Sequence, residues 1–119
     1  MGVEATRSIL ENYDIDTEEK NIIINCVEAH HGTKEYLTIE AEICANADCY
    51  KFIHPKGFFT YASILARRVN NLSKELEQLE MKLDEKYKVI SLDAVRDELA
   101  PYYHQFKEML EKAREDNLS

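Results

Sequence analysis

The chain has 119 residues, 45% of them hydrophobic and 32% charged, with three Gly, two Pro and a formal net charge of −8. That length suits one domain burying roughly 65% of its unfolded surface and excludes a second full domain, and the composition is that of a globular helical protein, not a disordered or sheet-rich one. The acidic balance and the lack of any Lys/Arg-rich run argue against nucleic acid as a partner, while short apolar runs such as Ile22 to Ile24 and the absence of a signal-peptide series point to a cytoplasmic protein with no membrane contact.

A first helix is predicted from about Gly2 to Asn12, where Val3, Thr6, Ile9 and Leu10 recur at helical spacing. Asp16-Thr17-Glu18-Glu19 then reads as a capping box with an acidic first turn, opening a second helix whose apolar stripe runs through Ile22, Ile23, Cys26, Val27 and Ala29 and stops at Gly32. Thr38 can cap a third helix, which is expected to end near His54-Pro55 because proline restricts the residue before it and donates no amide hydrogen. Lys56-Gly57 completes that break. From about Phe58 to Tyr87 the leucine and valine positions Leu65, Val69, Leu72, Leu76, Leu79 and Leu83 follow steps of four and three, which predicts one long helix with a narrow heptad seam. A last helix, opened by Ser91 or Asp93 and carrying Leu92 through Leu110, is expected to be kinked or divided at Pro101. The short link around Lys88 to Ile90 makes the last two segments a long antiparallel helical hairpin.

Cys26, Cys44 and Cys49 form an odd set without a CxxC pair, so they read as reduced packing residues and not as a disulfide framework or thiolate zinc site. His30 and His31 lie seven residues after Ile23 and Ile24, so each imidazole ends an apolar line, and adjacent imidazoles on a rigid helix end are a plausible metal-ligand pair. One packed and one surface histidine would have the same spacing. Asp48 follows Ala41, Cys44 and Ala45 on one helical face, where a carboxylate needs an ion-pair partner, a helix end or a metal. Lys34 and Lys51 are candidate substrate-binding residues for a phosphate, as are Lys56, Arg67 and Arg68, although exposed basic side chains are commonly plain solvated surface. Phe58, Phe59 and Tyr61 read as fasteners of the following helix to the core.

Taken together, Glu28-Ala29-His30-His31-Gly32, a short loop and then Glu40-Ala41-Glu42-Ile43-Cys44-Ala45-Asn46-Ala47-Asp48 resemble the back half of the HD-domain superfamily, in which a helix ending in His or His-His is followed by a helix ending in Ala-Asp. Gly2-Val3-Glu4-Ala5-Thr6-Arg7-Ser8-Ile9-Leu10 is similar to the family helix that follows an earlier metal-binding histidine. The resemblance covers roughly residues 2–60 and implies a partial HD-like helical core over residues 1–57; with the helical hairpin over 58–119 read from the leucine pattern and the short link, the expectation is an all-α fold in a single domain. It implies a metal-dependent phosphohydrolase acting on nucleotides, cyclic dinucleotides or related phosphate esters, with Mn, Fe, Co, Ni, Zn or Mg as the divalent metal ion. His30 and His31 match the late histidine ligands and Asp48 the last aspartate. The first His and the His-Asp dyad that name the family have no counterpart, since His54 and His104 are the only other histidines and neither precedes Asp. The chain is accordingly expected to be a fragment, a degenerate member, or a subunit whose site a second polypeptide completes. A different expectation is a non-catalytic helical interaction module, with a homodimer formed through helices in 58–115 by the leucine seam.

Overall fold

The computed structural model of the chain describes residues 2–30 and 35–115. Among the described residues there are six α-helices and no strand: α1 (Val3–Leu10), α2 (Thr17–Glu28), α3 (Ile39–Ile53), α4 (Pro55–Val69), α5 (Leu72–Val89) and α6 (Asp93–Glu115). The chain packs as two units, Met1–Asp48 and Cys49–Ser119, so α3 begins in the first and finishes in the second.

In the first unit α1 packs on α2 through buried Thr6 and Leu10, and an exposed ion pair of 3.8 Å joins Arg7 to Glu28. Asp16 caps α2 as expected, accepting from the Glu18 amide. The inward face of α2 differs from the predicted stripe. Ile24 and Asn25 are buried, whereas Ile23 is 38% exposed. The reason is polar: the Asn25 carboxamide donates to the Glu35 carbonyl at 3.0 Å and accepts from the Leu37 amide at 2.9 Å, drawing that edge of the helix toward the segment leading to α3. The helix also ends earlier than Gly32 suggests, at Glu28, with Ala29 as its C-cap; Gly32 itself lies outside the described residues. Thr38 caps α3 by accepting from the Ala41 amide at 3.2 Å.

The second unit is built from the last turn of α3 with α4, α5 and α6. His54-Pro55 does end α3, but α4 restarts at once, because proline at the first helical position needs no donor and the His54 imidazole accepts from the Lys56 amide at 3.4 Å. Gly57 thus lies inside the first turn of α4 and not in a break. It sits against the Lys51 carbonyl, where a Cβ would overlap the oxygen. The predicted long helix is two helices. Asn70 takes the left-handed conformation (φ 50°, ψ 35°) that closes α4, and Asn71 caps α5 by accepting from the Lys74 amide at 3.0 Å. The leucine seam therefore folds back on itself: Leu65 on α4 and Leu79 and Leu83 on α5 share one core with Leu99, Phe106 and Leu110 of α6, while Leu72, in the first turn of α5, is exposed. Pro101 does not divide α6, which runs unbroken through it with the proline on the exposed face. Contacts Glu80–Arg114, Asp84–Lys107 and Tyr87–Tyr103 run in opposite order along the two helices, so α5 and α6 are antiparallel. Phe58 stacks on Phe106 at 4.0 Å, fastening α4 to α6 as its position suggested.

Candidate functional site

His30 stands two residues beyond the last residue of α2, in the turn that follows it, half-buried. Its Nδ1 lies 2.7 Å from the Val27 carbonyl oxygen. A carbonyl only accepts, so Nδ1 carries the hydrogen, and it is Nε2 that bears the acceptor lone pair in the corresponding uncharged tautomer. That arrangement, a ring N–H tied to a backbone carbonyl, is how proteins orient a histidine for ligation through the opposite nitrogen. His54 is set the other way round: its Nδ1 accepts the α4 capping hydrogen bond, and its ring lies 5.8 Å from Tyr50 and 5.7 Å from Tyr102 in the second unit.

Asp48 is half-buried near the middle of α3, on a helix whose Ala41 and Ala45 are fully buried. Cys44, expected on the same inward face, is exposed. Lys51, one turn further on, is exposed too. His31 and Lys34 lie outside the described residues. Among the described residues no three His, Cys, Asp or Glu side chains are grouped so as to hold a metal ion.

The cysteines are reduced thiols of unequal burial: Cys49 buried, Cys26 half-buried, Cys44 exposed. Burial pushes the Cys26 thiol up, and the neighbouring Cys44 thiol and Glu40 carboxylate add to the shift. Cys26 is therefore held as the neutral thiol at neutral pH, which suits packing and not thiolate chemistry.

Sequence reasoning missed a polar network in the second unit. Asp84 accepts from the Tyr103 hydroxyl at 2.7 Å and from Lys107 at 3.0 Å; Lys107 lies 3.5 Å from Glu80, which Arg114 grips at 2.6 Å. Nearby, Arg96 lies over the Tyr87 ring at 4.7 Å and donates to the carbonyls of Tyr87 and Ile90, satisfying the end of α5. Only the placement of Asp84 and Glu80 on α5 opposite Lys107 and Arg114 on α6 could have signalled this, and that requires the helix pairing to be known first.

No helix among the described residues is long and apolar enough to cross a membrane. No protein-family model, curated protein or solved structure matches the chain.

Proposed function

We propose that the first unit is a metal-binding module of HD-domain type, descended from phosphohydrolases, in which His30, His31 and Asp48 hold a divalent ion that meets the phosphate of a small phosphorylated substrate. The observation that supports this reading is the His30 ring, whose Nδ1–H is committed to the Val27 carbonyl, the orientation in which a histidine would coordinate through Nε2. Asp48 supplies the hard anionic oxygen that neutral imidazoles lack, on a helix whose buried alanines leave room for close approach. The ion, once bound, would acidify water and polarise a phosphoryl oxygen. Three protein ligands make a weaker centre than the family's full set, so turnover depends on ligands beyond these three.

Metal analysis of protein purified without chelator, paired with assays on a generic phosphodiester and phosphomonoester, tests this reading. One bound ion per chain is expected, and Asp48→Ala should lower its affinity at least about tenfold. Metal-free protein that takes up no Mn, Zn or Mg on titration removes the reading.

A helical interaction module is a second reading, favoured by the exposure of Phe59, Met81 and Met109 on α4, α5 and α6. It does not use the leucine seam, whose Leu65, Leu79 and Leu83 are consumed inside the second unit. Light scattering across protein concentrations tests its dimeric form: a dimer weakened by Met81→Asp supports it, and a monomer at all concentrations ends self-association as the module's role.

A further inference from the structure

The turn end of the α5–α6 hairpin, in the unit that carries neither His30 nor Asp48, holds a shallow, open cavity of about 440 Å³ lined by Asp84, Tyr87, Lys88, Arg96, Tyr103 and Lys107. Half of these are cations, in a chain whose net charge is −8. Their charges divide into two groups. Asp84 is already answered by Lys107 and by the Tyr103 hydroxyl, so that pair contributes almost no net field. Arg96 is positioned by neutral acceptors, its Nη2 donating to the Ile90 carbonyl at 2.7 Å and the Tyr87 carbonyl at 3.3 Å, which orient the guanidinium without a carboxylate partner. Lys88 is exposed in the last turn of α5. Among the described residues no carboxylate forms an ion pair with Lys88 or Arg96.

The aromatic residues limit what can enter. Tyr103 stacks on Tyr87 with centroids 3.9 Å apart and planes 6° from parallel, and the Arg96 Cζ is 4.7 Å from the same Tyr87 centroid. Two groups that close to one ring cannot share a face, so both faces of Tyr87 are covered. A nucleobase has no Tyr87 face to stack on, and recognition is left to charge and hydrogen bonding.

We propose that this cavity binds the phosphate group of a small soluble phosphorylated metabolite, held by the oriented Arg96 guanidinium and the Lys88 ammonium and not by aromatic stacking. The site needs no metal and goes beyond the reading of the first unit. An oxyanion fits the pair because Arg presents a planar donor fork while Lys adds a compact, movable charge.

NMR titration of the full chain in low salt, with EDTA present throughout, tests the proposal using inorganic phosphate, methyl phosphate and phenyl phosphate. Saturable shifts are expected at Tyr87, Lys88 and Arg96, with the methyl and phenyl esters binding within about twofold of each other because both faces of Tyr87, the ring beside the two cations, are covered. Lys88→Gln should weaken binding about threefold and Lys88→Glu more, since a partly exposed charge is removed and then reversed. Lys88 is exposed, so neither variant threatens the fold. Three results overturn the proposal: no saturable shift at these residues up to about 20 mM phosphate, well past the range of a weak specific site; affinity unchanged in Lys88→Glu; or phenyl phosphate binding more than about tenfold tighter than methyl phosphate. Asp48→Ala should bind phosphate here as the unaltered chain does, so failure of the metal reading and failure of this one are separately visible.

Discussion

Asn25 sits within the apolar run of α2, yet its carboxamide closes two hydrogen bonds, to the Glu35 carbonyl and from the Leu37 amide. Asn25→Ala would leave both backbone groups without that partner in a partly buried setting, so a loss of about 2 kcal/mol is expected in urea unfolding; Asn25→Asp, which keeps the acceptor alone, should fall between. The acidic residues of the second unit make a pH prediction. Arg114's hydrogen bond lowers Glu80 against a partial burial cost; burial raises Asp84, but the Tyr103 hydroxyl and Lys107 outweigh it and the net shift is downward. Both groups thus titrate lower folded than unfolded. Their contribution is fully present above about pH 4.5 and is lost as pH falls through the folded values. The stability gap between the unaltered chain and an E80Q/D84N double variant, followed by urea midpoints, should close as pH drops from 5 to 3. A gap of constant size would contradict the assignment. Residues of this kind were not legible beforehand, since Asn25 is indistinguishable from a surface asparagine until the loop it pins is placed. The spacing argument for His30 and Asp48 does not carry their half-burial, since Ile23 and Cys44 on the faces it used are exposed and α2 ends before His30, whose ring hydrogen bond to Val27 depends on backbone geometry beyond the helix.

At the scale of the element, chemistry local in sequence was read well. The Asp16 and Thr38 caps and the proline boundary at His54-Pro55 each depend on residues within one helical turn. The missed break at Asn70-Asn71 was local too, but two adjacent asparagines inside an unbroken heptad register were outvoted by the leucines around them. Periodicity reports which face is apolar, and a tight reversal preserves that face on both arms, so the seam continued through the turn. Asn70 has the chain's only positive φ outside glycine among the described residues. Asn70→Ala should therefore destabilise by about 1 kcal/mol while Asn70→Gly is near neutral, as read by thermal unfolding; equal effects would mean the left-handed turn is not retained. The same local logic makes Pro101 a divider. It fails to divide α6 because a missing hydrogen bond on an exposed face can be met by water.

For the whole molecule, the pattern of burial is uneven. The large apolar cluster from Cys49 to Leu110 lies wholly in the second unit, whereas among the described residues the buried apolar side chains of the first are Leu10, Ile24 and three alanines. A polypeptide of residues 49–119 is expected to unfold cooperatively with helical circular dichroism, and one of residues 1–48 to give at most a broad, weak transition. The reverse outcome would show that the division at Asp48 does not mark where stability resides. Composition and charge announced the all-helical class correctly, but the place where the chain divides, inside α3, could not be read from a helix that is continuous in sequence.

The packing of Gly57 on the Lys51 carbonyl has a consequence for how the chain can vary over generations. Its obstacle is main chain, present whatever residue occupies position 51, so no compensating exchange at a neighbour can open space for a methyl group. In a saturation library selected for soluble expression, codon 57 should collapse to glycine alone, even while the exposed positions 56, 59 and 60 accept many alternatives.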